Sequence, residues 1–164
     1  ITDNAPVIAG GQLWVTKPDY TLSTLDLTTG DITWTETLAD EFSARGPVSA
    51  DGRVFISARS DTVHAFDGTT RALLWSTALR EGDADVQHKQ VNSALVYDEF
   101  DGGRIYRVSE RGRITSIRAT NGEVVWEYDV VANPDRVFWS TPTVANGVVY
   151  VGGLDGKVYA VRGV

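Results

Sequence analysis

Cysteine and methionine are both absent from the 164 residues, and histidine occurs only twice. The absence of cysteine excludes disulfides, zinc–thiolate sites and thiol nucleophiles. No run of residues approaches the roughly 20 apolar positions that a membrane-spanning helix needs. A formal net charge of −7 argues against general nucleic-acid binding, because that function needs a basic surface. The apolar fraction of 42% and the charged fraction of 23% are those of an ordinary globular domain.

The sequence contains one pattern that is written four times. A glycine turn recurs at Gly11, Gly52, Gly103 and Gly147, at intervals of 41, 51 and 44 residues. Short runs of β-branched and aromatic residues flank each turn and end at Gly, Asp, Asn or Pro, which is typical of strands. No amphipathic helix longer than two turns is expected. Repeats of this length predict β-propeller blades, each a four-stranded antiparallel sheet.

Three copies close with a strand that carries a tryptophan, and the fourth copy stops before that strand. We interpret residues 1–164 as one partial propeller with approximate repeats at 5–38, 46–79, 93–130 and 141–164. Three blades are expected to be complete and one incomplete. Two hypotheses follow: the chain is half of a ring of about eight blades in a longer protein, or it completes a ring with another chain. The start at Ile1 without methionine suggests a processed or excised product.

Two columns of equivalent positions indicate how the sheets pack. One column contains only small side chains: Thr24, Ala65, Ser116 and Ala160. A bulky residue there would overpack the joint, so we expect this column to let adjacent sheets approach closely. The next column is wholly apolar and is assigned to the core: Leu25, Phe66, Ile117 and Val161.

The run from Thr29 to Trp34, and Tyr159-Ala160-Val161 after Asp155-Gly156, resemble the tryptophan-docking repeat of the PQQ-like β-propeller superfamily. That superfamily includes quinoprotein dehydrogenases, outer-membrane assembly lipoproteins and sensor domains of bacterial kinases. The resemblance implies structural docking roles for two groups of residues: the tryptophans Trp34, Trp75 and Trp126, and the turn glycines Gly30 and Gly122. Arg71 replaces the turn glycine in the second copy, which predicts a differently built turn. The resemblance and the lack of cysteine together predict an extracytoplasmic location.

Two long inter-blade segments are the first candidates for partner binding, because binding residues concentrate on loops of a rigid scaffold. Residues 80–92 contribute Arg80, Asp83, Asp85 and His88. Asp83 and Asp85 alternate as in a calcium loop but lack the glycine and terminal glutamate of an EF-hand, so no metal site is assigned. Residues 131–140 contribute Arg136 and Trp139, which have the chemistry of an interface hot spot. The favoured alternative is that Trp139 fills the space between two blades.

The hairpin of residues 104–118 supplies further candidates. Arg107, Arg111 and Arg113, with Arg104 and Arg118, predict either a basic strip for an acidic partner or simply the solvated face of a strand pair. Phe100 is expected to be a loop anchor or a partner contact. His64 lies in a polar column with Ser23, Thr115 and Tyr159, and a structural role is favoured for it.

No catalytic constellation is visible, so the leading hypothesis is a non-catalytic scaffold or sensor domain that binds a protein partner through inter-blade loops. No cofactor is expected. The first alternative is a fragment of a PQQ-dependent dehydrogenase, although neither its cysteine pair nor its metal-binding acids can be matched here. The second is a structural module that assembles with another chain, as a possible homo-oligomer, to complete the propeller.

Overall fold

A computed structural model describes residues 5–17, 19, 21–37, 46–58, 61–79, 95–109, 112–130 and 140–163. In these ranges the chain consists of strands and turns, and its one helical element is a single 3₁₀ turn at Phe100–Gly102. No helix within the same ranges is long and apolar enough to cross a membrane. The predicted all-β class is confirmed.

The strands form four antiparallel sheets that follow one another along the chain. Sheet 1 consists of β1 (Val7–Ala9), β2 (Gln12–Thr16), β3 (Leu22–Asp26) and β4 (Ile32–Glu36). Sheet 2 consists of β5 (Val48–Ala50), β6 (Arg53–Ser57), β7 (Thr62–Asp67) and β8 (Leu73–Ala78). Sheet 3 consists of β9 (Leu95–Asp98), β10 (Arg104–Val108), β11 (Arg113–Arg118) and β12 (Val124–Asp129). Sheet 4 consists of β13 (Thr143–Ala145), β14 (Val148–Gly152) and β15 (Val158–Arg162).

Each sheet is a simple meander, because short turns join strands that are adjacent both in sequence and in space. Three sheets have four strands and the last has three among the described residues, which confirms the expected three complete blades and one incomplete blade. The third and fourth strands of every complete sheet share one irregularity. Their register shifts immediately after the small column, at Thr24/Leu25, Ala65/Phe66 and Ser116/Ile117. Such a bulge increases the local twist of the sheet.

The chain divides into two compact units, Ile1–Val91 and Asn92–Val164, and each contains two of the sheets. The core of the first unit joins sheets 1 and 2 through Ala9, Trp14, Leu22, Val54, Ile56 and Phe66. The core of the second joins sheets 3 and 4 through Tyr106, Val108, Ile114, Val149 and Val151. In both units the apolar faces of two sheets are therefore buried against each other, which a single meander could not achieve.

Candidate functional site

Each docking tryptophan is one member of a three-residue layer that crosses its sheet. In sheet 1, Trp14 of the second strand pairs with Thr24, and Thr24 pairs with Trp34. The equivalent layers are Phe55–Ala65–Trp75 and Tyr106–Ser116–Trp126. The ring centroids of the two aromatic residues lie 5.7, 5.9 and 5.9 Å apart in the three layers.

This spacing explains the column of small side chains. Strands two apart in a sheet are separated by roughly 10 Å, so the two rings can meet only by leaning over the residue between them. Thr24, Ala65 and Ser116 are fully buried beneath these rings. Their small size therefore makes room within one sheet, in addition to any effect on the distance between sheets. The sequence interpretation overlooked the aromatic column itself, although its signal was present in Trp14, Phe55, Tyr106 and Tyr150.

Two tryptophans also contact the following sheet of the same unit. The Trp34 ring lies 6.1 Å from the Phe66 ring of sheet 2, in an edge-on arrangement. Trp126 packs against the core that contains Val149 and Val151 of sheet 4. A Cβ atom added to Gly163 would overlap the Trp126 indole, so the bare backbone at Gly163 is what lets that indole approach. These contacts link consecutive sheets within each unit.

The turn before each tryptophan has the same construction in all three sheets, and here one expectation was wrong. Arg71 has a φ of +67°, close to the +76° of Gly30 and Gly122. The Arg71 amide donates to the Asp67 carbonyl at 2.9 Å, as the Gly30 amide donates to the Asp26 carbonyl. The arginine therefore adopts the left-handed conformation of the glycine that it replaces, rather than a different turn.

The left-handed conformation of Arg71 also directs its side chain toward sheet 1. Its guanidinium donates to the Gln12 side-chain oxygen and, at 3.2 Å, to the Thr33 hydroxyl, both in sheet 1. The side-chain amide nitrogen of Gln12 in turn donates to the Thr69 backbone carbonyl at 3.2 Å. The Arg71 side chain therefore joins sheet 2 to sheet 1 through hydrogen bonds that a glycine at this position could not make.

Aspartates cap two of these turns. The Asp26 carboxylate accepts from the amides of Thr28 and Thr29, and the Asp67 carboxylate accepts in the same way from Thr69 and Thr70. These hydrogen bonds stabilise the charged form and lower the pKa of both carboxyl groups, with the Thr29 and Thr70 amides contributing most. In sheet 3 Arg118 takes this place and pairs with Glu123 at 3.0 Å instead.

The arginines of sheet 3 do not form a single exposed strip. Arg104 and Arg107 are buried, at 4% and 2% exposure, and Arg104 pairs with Asp101. Arg113 makes a two-pronged contact with Asp129, with nitrogen–oxygen distances of 2.8 and 3.1 Å. Partner binding by Arg113 stays a prediction, whereas the burial of Arg107 removes its side chain from contact with a partner in this structure.

The pKa values of Arg107 and of two nearby groups, Asp129 and Tyr106, depart from their usual values. The pKa of the Arg107 guanidinium is lowered to about 10, mainly by burial and also by the charge of Arg113, while Glu127 opposes the shift. The hydrogen bond from Arg113 lowers the pKa of Asp129. Burial raises the pKa of the neighbouring Tyr106 phenol, and the charge of Asp98 adds to that effect.

The polar column that includes His64 forms cross-strand pairs. His64 is 5% exposed, and its Nδ1 lies 2.8 Å from the Ser76 hydroxyl. Ser23 and Thr35 form the same kind of pair at 2.8 Å, and Thr115 donates to Glu127 at 3.5 Å. Each pair joins the third strand to the fourth in direct register. The structural role that the sequence favoured for His64 agrees with this geometry.

Phe100 serves as a loop anchor. Its ring covers Gly147 in the turn between β13 and β14, where an added Cβ would lie 2.7 Å from a ring carbon. The Asp98 carboxylate accepts from the Gly147 amide at 2.8 Å in the same contact. The inserted loop of sheet 3 therefore fastens onto sheet 4, and about half of Phe100 stays exposed.

Seven of the sequence candidates lie outside the described residues: Arg80, Asp83, Asp85, His88, Arg111, Arg136 and Trp139. Their partner-binding roles stay predictions. Within the part of the chain that is described, no group of three or more His, Asp or Glu side chains is placed to hold a metal ion.

Comparison with known proteins identifies the family. The family model described as outer membrane protein assembly factor BamB matches residues 1–163. No curated protein matches the chain significantly. Several solved structures do match, at identities that carry the fold alone.

BamB from Moraxella catarrhalis superposes with a TM-score of 0.72 at 20% identity, over 96% of this chain and 48% of that one. The computationally designed Ika4 protein has a TM-score of 0.68 at 16% identity, over 98% of this chain and 92% of that one. Quinohemoprotein alcohol dehydrogenase from Comamonas testosteroni has a TM-score of 0.68 at 19% identity, over 93% and 29%. The chain thus spans about half the length of the BamB structure that it matches.

These matches confirm the predicted fold class, in which the sheets are propeller blades. The family model covers almost the whole chain, and the tryptophan layers recur in every complete sheet. The chain belongs to the BamB family of PQQ-like β-propellers.

Proposed function

We propose that this chain is a non-catalytic β-propeller scaffold that binds a protein partner through its inter-blade loops. The observation that carries the proposal is the match of residues 1–163 to a family described as an outer membrane protein assembly factor. An assembly factor acts by binding other proteins, so this description supports a protein-binding role. An extracytoplasmic location belongs to the same proposal.

The architecture supports this role. The polar residues in the third strands engage the fourth strands, and Arg71, Phe100 and Asp98 fasten one sheet to the next. Side chains used in this way hold the two sheets of each unit in fixed positions relative to each other. A rigid sheet framework is the kind of structure that presents loops reproducibly to a partner.

The experiment that tests the proposal is affinity capture with matched variants. The immobilised chain is offered detergent-solubilised cell-envelope proteins of its source, and captured proteins are identified by mass spectrometry. The Arg136→Ala/Trp139→Ala variant is compared with Arg118→Ala, which alters an arginine already paired with Glu123. We expect one stoichiometric partner whose capture falls at least tenfold in the loop variant and is unchanged in the control. If both variants fold normally by circular dichroism and both still capture the partner, binding through that loop is refuted.

The rival function is quinone-dependent oxidation, which the structural match to an alcohol dehydrogenase brings into consideration. Among the described residues no three or more His, Asp or Glu side chains are grouped to hold a metal ion, so no calcium site is assigned to them. Mixing the chain with PQQ and calcium and recording the quinone absorbance tests this rival. A saturable spectral shift would favour it over the scaffold.

A second proposed role is completion of a propeller, either by further blades of a longer protein or by assembly with another polypeptide. It is favoured by β15, which has no strand on its outer side among the described residues. An open strand edge presents unpaired amide and carbonyl groups, and another strand can pair with them. Completion of a ring of about eight blades belongs to this proposal.

A further inference from the structure

The chain contains two asparagine–glycine pairs, and each lies in a turn between neighbouring strands. Asn121-Gly122 connects β11 to β12, and Asn146-Gly147 connects β13 to β14. Both asparagines are exposed, whereas both glycines are buried. Asparagine followed by glycine is prone to spontaneous loss of its side-chain amide, because glycine has no side chain to hinder attack by its own backbone nitrogen. By sequence alone, the two pairs are equally reactive.

This reaction needs an activated side-chain amide and a backbone nitrogen that can be released. The glycine nitrogen loses its proton and forms a bond to the asparagine side-chain carbon Cγ. Negative charge develops on the oxygen of that carbon, so a hydrogen-bond donor to this oxygen favours the attack. A hydrogen bond made by the glycine nitrogen must first be broken, and a negative charge beside the nitrogen opposes loss of its proton.

The turn at Asn121 provides an activated amide and a weakly held nitrogen. The Asn121 oxygen Oδ1 accepts from the Glu123 backbone amide at 3.1 Å. This hydrogen bond polarises the side-chain amide and holds it folded toward the backbone that follows it. The Gly122 amide donates to the Arg118 carbonyl at 2.9 Å, which is a neutral acceptor in the same turn. Breaking this bond requires only a local opening of the turn.

The corresponding nitrogen at Asn146 is held from another sheet. The Gly147 amide donates to the Asp98 carboxylate at 2.8 Å, and hydrogen bonds to charged acceptors are about twice as strong as neutral ones. The negative charge of Asp98 also opposes deprotonation of this amide. The Phe100 ring lies against Gly147, since an added Cβ would be 2.7 Å from a ring carbon. Release of the Gly147 nitrogen therefore requires the contact between sheets 3 and 4 to open.

We propose that Asn121 is a site of spontaneous deamidation, and that Asp98 and Phe100 protect Asn146 from the same reaction. The Gly122 nitrogen loses its proton to solvent and bonds to Asn121 Cγ, while the side-chain nitrogen takes up a proton and leaves as ammonia. Water then opens the cyclic imide at either carbonyl and gives aspartate or isoaspartate. The reaction consumes water, releases ammonia and transfers no electrons. Either product adds a negative charge to the turn before β12, and isoaspartate also lengthens its main chain.

The test follows both sites in the folded full chain at mildly alkaline pH. Trypsin separates them, because Asn121 lies in the peptide of residues 119–136 and Asn146 in that of residues 137–157. The remaining asparagine of these peptides, Asn133, precedes proline, whose nitrogen carries no proton. Tandem mass spectrometry measures the deamidated fraction of each peptide over time. We expect Asn121 to react about tenfold faster than Asn146, and the two to react at similar rates in guanidinium chloride.

Variants of the chain identify the protecting contacts. Asp98→Ala and Phe100→Ala are each expected to raise the deamidation rate of Asn146 about fivefold and to leave that of Asn121 unchanged. Asp129→Ala is the matched control, because it removes a paired carboxylate at the other end of sheet 3 and should change neither rate. Circular dichroism verifies that the variants fold.

Deamidation of Asn146 as fast as that of Asn121 in the folded chain overturns the proposal. An Asn121 peptide that stays unmodified while the unfolded chain reacts overturns it as well. If Asp98→Ala and Phe100→Ala both fold and leave the rate at Asn146 unchanged, the protecting contacts are refuted. If either variant fails to fold, the ratio of the two rates in the wild-type chain still decides whether the two turns differ as proposed.

Discussion

Arg71 shows how one residue can serve both a turn and a joint between sheets. A non-glycine residue in the left-handed region costs about 1 kcal/mol because its Cβ crowds the following carbonyl. The same conformation directs the guanidinium to Gln12 and Thr33 of the neighbouring sheet. Each such hydrogen bond contributes about 1 kcal/mol net. The contacts made by the side chain therefore offset the strain of its backbone.

A double-mutant cycle tests this account of Arg71. Gln12→Ala is expected to lower the free energy of unfolding by about 1 kcal/mol when Arg71 is present. In the Arg71→Gly background the same substitution is expected to cost less, because the donor from Arg71 is gone and only the hydrogen bond from the Gln12 side chain to the Thr69 carbonyl is left to lose. Urea unfolding of the four proteins measures the coupling. Lys17→Ala, which removes a surface pair with Asp19, should be additive with Arg71→Gly. Additivity of Gln12→Ala with Arg71→Gly would contradict the proposed link.

The elements of each unit are held together by contacts at their turns as well as by their faces. The β13–β14 turn brings Gly147 under the Phe100 ring, while the Asp98 carboxylate accepts from its amide. This arrangement requires glycine for two separate reasons, a φ of +73° and the close approach of the ring. The turn before β15 contains Gly156, which also has positive φ but has nothing near the position of a Cβ.

Alanine substitutions at these two glycines separate strain from crowding. Gly156→Ala is expected to destabilise the chain by about 1 kcal/mol, the cost of the left-handed conformation alone. Gly147→Ala is expected to cost about 1 to 3 kcal/mol more, because the methyl group meets the Phe100 ring. Adding Phe100→Ala to Gly147→Ala should recover part of that excess. Thermal unfolding followed by circular dichroism compares these three variants with the wild type, and equal costs at the two glycines would contradict the contact.

At the scale of the whole molecule, acidic residues make the largest contribution to the charge, and several are ionised more readily than usual. Hydrogen bonds or ion pairs lower the pKa of Asp19, Asp26, Asp67 and Asp129. Because these pKa values lie below 3.8 in the folded chain, the unfolded chain binds more protons as the pH falls. The stabilisation that they provide is complete well above pH 3.8 and is lost as the pH falls through the folded values.

We therefore expect the melting temperature to fall as the pH is lowered from about 5 to about 2. The Asp26→Asn/Asp67→Asn variant should show a shallower decline, because the asparagine oxygen still accepts the turn amides but does not titrate. Scanning calorimetry across this range provides the measurement. Wild-type and variant curves that run parallel would show that the two caps do not contribute to acid unfolding.

Much of the fold could be predicted because each copy of the repeat carries its strand and turn signals within a short stretch of sequence. Glycine turns, alternating strands and the tryptophan column recur at intervals that only a stacked-sheet architecture explains. The small column was also visible, but its use was not, because the meeting of Trp14 with Trp34 depends on two strands that are not neighbours in the sheet. The turn at Arg71 was misjudged because its compensating contacts come from another repeat, 59 residues away.

The sequence by itself determined the number of sheets, their strand order and the position of the tryptophan strands, since these follow from side-chain periodicity and turn chemistry. Tertiary structure alone decided that Arg107 is buried, that Phe100 anchors a loop and that the Arg71 side chain links sheet 2 to sheet 1. Burial and partner choice depend on which residues from distant parts of the chain arrive at the same place. The periodicity of one segment does not show which distant residues will contact it in the folded chain.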